Sequence, residues 1–128
     1  MRPRIDHVKL PVSDLGASRA FYAAALAPLG YDVVYEGDVS LGFGRADFEP
    51  FAVEVRGRPS VGAHIAITAF DEASVDAFHA AAVAAGGRDN GAPGIRPYGD
   101  HYYAAFVLDP DGHNIEAVFH GARVEADS

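Results

Sequence analysis

Two stretches decide the architecture: Asp6-His7-Val8-Lys9-Leu10-Pro11-Val12 and Ala63-His64-Ile65-Ala66-Ile67-Thr68-Ala69. Shifting the chain by 57 positions lays the second on the first. His7 then meets His64, Val8 meets Ile65, Leu10 meets Ile67 and Asp14 meets Asp71. Further along, Phe21 meets Phe78, Leu26 meets Val83 and Gly30 meets Gly87, with no gap. A period near half the chain marks a duplicated supersecondary unit, because a solenoid needs three or more copies. Both stretches alternate. Val8, Leu10, Ile65 and Ile67 therefore face a helix layer, while His7 and His64 face the other way.

Working outward, Ile5 to Val12 reads as a strand, Ser13 or Asp14 offers an N-cap, and Phe21, Ala25 and Leu26 form the apolar stripe of a helix ending near Gly30. Short strands follow at Tyr31 to Glu36, Val39 to Phe43 and Phe51 to Arg56, with a turn around Arg45 to Pro50. The second unit repeats this order. Ala63 to Ala69 is a strand, Asp71 caps a helix carrying Val75, Phe78 and Ala82, and Gly86-Gly87 ends it. Gly91 to Asp100, rich in Gly and Pro, reads as a loop beside a weak strand. Tyr102 to Leu108 and His113 to His120 form a hairpin across Asp109-Pro110-Asp111-Gly112. The expectation is an α+β fold of two paired βαβββ modules forming a curled mixed sheet around a cleft. Module one covers about 1–58 and module two about 59–120, with a tail at 121–128, all in one domain of 1–128.

With 128 residues, one core can form. A net charge of −8 argues against nucleic acid or an anionic membrane as partner. The absence of cysteine removes disulfides, thiolate ligands and a cysteine nucleophile. No signal peptide or membrane span is legible, so a cytoplasmic protein is expected. Neither a phosphate-binding glycine loop nor a Gly-x-Ser-x-Gly elbow is present.

In the last strand Ile115, Ala117 and Phe119 alternate with Asn114, Glu116 and Val118, which puts Glu116 on the same non-helix side as the two histidines. Two imidazoles and a carboxylate suit a divalent Zn, Fe(II), Mn, Ni or Co and leave positions open for substrate or water. Glu54 is a candidate fourth ligand if Phe51 to Glu54 aligns with His113 to Glu116. A regular four-residue turn would pair Ala105 with Glu116 and put Tyr103 beside the carboxylate, whereas a one-residue bulge would bring Tyr102. Lys9 and the loop residue His101 complete the candidate substrate pocket. His79, His113 and His120 read as structural or surface residues. No residue can be assigned as catalytic acid or base.

These motifs, namely Asp6-His7-Val8, Asp14 with Phe21-Tyr22 and Leu29-Gly30, Ala63-His64-Ile65-Ala66-Ile67, and Asp109 to Glu116, resemble the vicinal oxygen chelate superfamily. That group contains glyoxalase I, bleomycin-resistance proteins and extradiol dioxygenases. The resemblance implies paired βαβββ modules around a cavity and His7, His64 and Glu116 as metal ligands. It gives no secure counterpart for the fourth ligand of glyoxalase I, since Glu54 fits only with a shifted register. The chain is too short for the four-module dioxygenases, and the basic cluster of the fosfomycin-modifying branch is missing. Small members dimerise, sometimes exchanging modules, which implies a homodimer. The leading expectation is a metal-dependent lyase, isomerase or dioxygenase that binds a small substrate through neighbouring oxygens. Its rival is a metal-free small-molecule or antibiotic-binding resistance protein, favoured by the negative charge and by cleft aromatics such as Tyr98 and Tyr103.

Overall fold

Asp14 and Asp71 set the two helices. The Asp14 carboxylate accepts from the Ala17 amide at 2.9 Å, and Asp71 forms a reciprocal capping box with Ser74. The computed structural model describes residues 3–59 and 62–121. Module one contains β1 (Val8–Pro11), α1 (Leu15–Leu26), β2 (Asp32–Glu36), β3 (Ser40–Arg45) and β4 (Phe48–Glu54). Module two contains β5 (His64–Thr68), α2 (Glu72–Ala84), β6 (Arg88–Arg96), β7 (Tyr102–Leu108) and β8 (Asn114–Phe119). Residues 60–61, at the expected module boundary, and 122–128, the expected tail, lie outside the described residues.

Each module folds its strands into a four-stranded mixed sheet, ordered β1-β4-β3-β2 and β5-β8-β7-β6. The α+β class and the two βαβββ units are as the sequence suggests. Among the described residues the sheets of one chain are open and separate: β1 pairs only with β4, and β5 only with β8. One segment departs from expectation. Gly91 to Arg96, read as loop, belongs to β6. As an outer strand it pairs on one side alone, which tolerates Pro93 and the two register shifts between Asp89 and Gly94.

The helices pack against one another, and each covers the inner face of its own sheet. Leu10, Phe43, Phe51 and Val53 from one sheet and Ile67, Val107, Ile115 and Ala117 from the other join Phe21, Tyr22 and Phe78 in one buried cluster. Burying each large apolar side chain stabilises by about 1.5–3 kcal/mol. Gly87 is required for this seating. A Cβ there would lie 2.5 Å from both the Phe21 ring and Val107.

The β7–β8 turn is tied to module one. The Tyr22 hydroxyl donates to Asp109 Oδ2 at 2.5 Å, while Asp109 Oδ1 accepts from the Asp111 and His113 amides. Burial, reinforced by the Asp109 charge, holds the Tyr22 phenol protonated far beyond its ordinary range. The inner faces thus glue the modules together. The outer faces, which carry the histidines, look away from the helix layer.

Candidate functional site

On the outer face of module two, His64 and Glu116 meet across neighbouring strands. His64 pairs with Asn114 in the parallel β5–β8 ladder, and its Nε2 lies 2.7 Å from Glu116 Oε1. The other carboxylate oxygen accepts from the Tyr102 hydroxyl. Glu116 is 1% exposed, and among the described residues no Lys or Arg reaches it within 4.0 Å. A buried carboxylate normally finds a cation or a metal. Here it has a neutral-capable imidazole and a phenol, an arrangement with room in its charge balance for a positive ion.

The register settles which tyrosine takes part. Phe106, not Ala105, pairs with Glu116, and Leu108 pairs with Asn114. The one-residue shift puts Tyr102, Ala104 and Phe106 on the carboxylate's face. Tyr103 points the other way, packs on the core and donates to Asp76 of α2 at 2.6 Å. That bond pushes its phenol up to about 12. The slip arises because Asp109 and His113 close the turn with their own bond, leaving five residues between the paired strand ends Leu108 and Asn114. His101 is likewise directed to the helix side. It bonds Glu72 at 2.9 Å and meets Phe119 edge-on.

Module one supplies a plainer surface. His7 is exposed, its Nδ1 2.7 Å from Asp6, and it lines a cavity of about 370 Å³ with Lys9, Asp47, Phe48, Glu49 and Ala52. Lys9, 3.9 Å from Glu54, also lines an adjoining cavity of about 370 Å³ with Tyr35, Ser40, Glu49 and Glu54. Glu54 does not occupy the position matching Glu116. Val8 pairs with Phe51 as Ile65 pairs with Ile115, so Ala52 stands where module two has Glu116. Glu54 is two residues further on, sharing the face but displaced along the strand. At the position matching Glu116, module one carries the methyl group of Ala52.

Among the described residues, no three His, Asp or Glu side chains of one chain converge to hold an ion. His64 and Glu116 stand together on module two, and His7 stands on module one. Sequence reasoning passed over Phe106 and Arg96, and treated His120, which meets Tyr102 edge-on, as peripheral. The alternation within β7 could have exposed Phe106 had the turn register been known.

Residues 4–117 match the family model of the Glyoxalase/Bleomycin resistance protein/Dioxygenase superfamily. A solved glyoxalase/bleomycin resistance protein from Albidiferax ferrireducens T118 is similar at a TM-score of 0.78 and 30% identity, over 90% of this chain and 97% of that one. A glyoxalase-related enzyme from Fulvimarina pelagi gives 0.74 and 23%, over 98% and 94%. Lactoylglutathione lyase from Agrobacterium tumefaciens gives 0.68 and 19%, over 94% and 96%. The last two speak to the fold alone. No curated protein matches the chain.

Proposed function

We propose that this chain, which belongs to the Glyoxalase/Bleomycin resistance protein/Dioxygenase superfamily, is a metal-dependent enzyme whose site is made by two copies. One copy contributes His7, and the other contributes His64 and Glu116. The observation that carries this reading is the buried Glu116, held by His64 and Tyr102 with no Lys or Arg beside it among the described residues. The edges of β1 and β5 left free among the described residues support it further. Each unpaired edge adjoins its module's histidine, and joining β1 of one copy to β5 of the other would extend the sheet and bring the two imidazoles together.

A divalent ion bound there would act as a Lewis acid on a substrate held through neighbouring oxygens. The chain's own residues prepare the place. Tyr102 engages one carboxylate oxygen and so fixes the rotation of Glu116, while the inner-face packing of Ile115 and Ala117 holds its strand. Ala52 lines both open cavities of the module-one side, and Lys9 places a positive charge near His7. Lyase, isomerase and dioxygenase chemistry all fit this frame.

Complementation between defective copies tests both parts. His7→Ala and Glu116→Ala proteins should each lose bound metal. Co-expressed, they should form heterodimers with one intact site, and elemental analysis should recover metal. Metal loss without recovery would rule out sharing between copies. Undiminished metal in both variants would rule out the ligand set. One observation favours the rival reading of a metal-free small-molecule binder: Ala52 in place of a carboxylate, beside open cavities. Ligand binding and stability unchanged by a chelator would select it.

A further inference from the structure

Arg96 ends β6 on the outer face of module two. It pairs with Tyr102 across the ladder and so shares the face of Tyr102, Phe106 and Glu116. Its guanidinium carbon lies 5.3 Å from the centre of the Phe106 ring, and His64 also neighbours that ring, at 6.1 Å between ring centres. Phe106 thus touches both a braced cation and the imidazole of the imidazole–carboxylate pair. The side chain is braced: Nη1 donates to Gly94 O at 2.9 Å and Nη2 to Ala92 O at 2.7 Å. Two of its five donors are engaged, and three remain. Among the described residues no carboxylate lies within 4.0 Å of it.

The local backbone is shaped around this side chain. The register shifts twice between Asp89 and Gly94, and such bulges re-aim side chains beside functional sites. Gly91, at φ +157°, leaves a space where a Cβ would lie 2.8 Å from Phe106 and 3.1 Å from the guanidinium. A surface arginine acting only as a solubilising charge needs neither the bulges nor the gap. Half-buried, stacked and without an acidic partner among the described residues, the planar fork matches a carboxylate in two-point contact.

We infer that Arg96 is the specificity residue of the site and that the substrate is a small organic acid. Its neighbouring oxygens lie toward His64 and Glu116, and its carboxylate lies on Arg96, with Phe106 bordering both. This rests on the metal-site reading above for the oxygen end, but the acid end is independent of it.

The test is calorimetric titration of metal-loaded and metal-free protein with catechol and with 3,4-dihydroxybenzoate, which differ by one carboxylate. The wild-type protein should prefer the acid by about tenfold or more. Arg96→Met should erase that preference while leaving catechol binding unchanged, and Arg96→Lys, which keeps the charge but not the fork, should reduce it. If Arg96→Met does not fold, Arg96→Lys decides alone. The inference is overturned by equal affinities in the wild type, by a preference that survives both substitutions, or by no binding of either compound. A preference seen equally without metal would uphold Arg96 and sink the metal reading. Metal-dependent catechol binding with no preference would do the opposite.

Discussion

The two modules share a fold and a histidine but differ in what surrounds it. By ladder register, Phe106 and Glu116 of module two correspond to Gly42 and Ala52 of module one. One face is filled by an aromatic ring and a carboxylate. The other is emptied, and the exposed Glu49 folds over the vacancy: a Cβ on Gly42 would lie 2.3 Å from its carboxyl group. The hairpin turns differ too, since Asp109 is buried in a tether to α1 whereas Asp47 is exposed. The duplicated scaffold thus carries an imidazole–carboxylate pair on one module and an open, hollowed face on the other.

That contrast can be broken at several points. The largest effect is expected at the turns. Asp109→Ala strands Tyr22 and two amides and should cost about 2–4 kcal/mol in urea unfolding, while Asp47→Ala should leave the midpoint in place. Next comes the donor asymmetry. Glu116→Gln should weaken Co(II) binding by about 100-fold, and Ala52→Glu, which restores symmetry, should tighten it by about tenfold. A wild-type affinity unmoved by either would dissolve the distinction between the faces.

The smallest effect concerns the helix–sheet bond of Tyr103. Because the Asp76 carboxylate and burial raise its phenol to about 12, the native state keeps a proton that the unfolded chain releases near pH 10. The bond's contribution is therefore complete below pH 10 and is lost as pH rises through about 12. Ultraviolet titration should show several late tyrosines, one of which, Tyr103, returns toward pH 10 in Asp76→Ala.

Much of this was legible in the chain. The 57-residue repeat, the caps at Asp14 and Asp71 and the Asp109 turn gave the two modules, and alternation placed His7, His64 and Glu116 on non-helix faces. Alternation has a period of two, however, so it reports a face and not a position along the strand. Glu54 and Ala52 share a face, and only the ladder shows that Ala52 matches Glu116. Tyr102 and Tyr103 lie on opposite faces, and only the length of the turn selects between them. The Gly- and Pro-bearing β6 escaped recognition because its bulges cancel the periodicity that marks a strand.

The sequence by itself determined the repeated unit, the class of fold and the kinds of donor, because each follows from local pattern and side-chain chemistry. The tertiary structure alone decided strand register, the module-to-module contact through the helices and the placing of His7 and His64 on two separate sheets. Those depend on how distant surfaces pack, which no local period encodes.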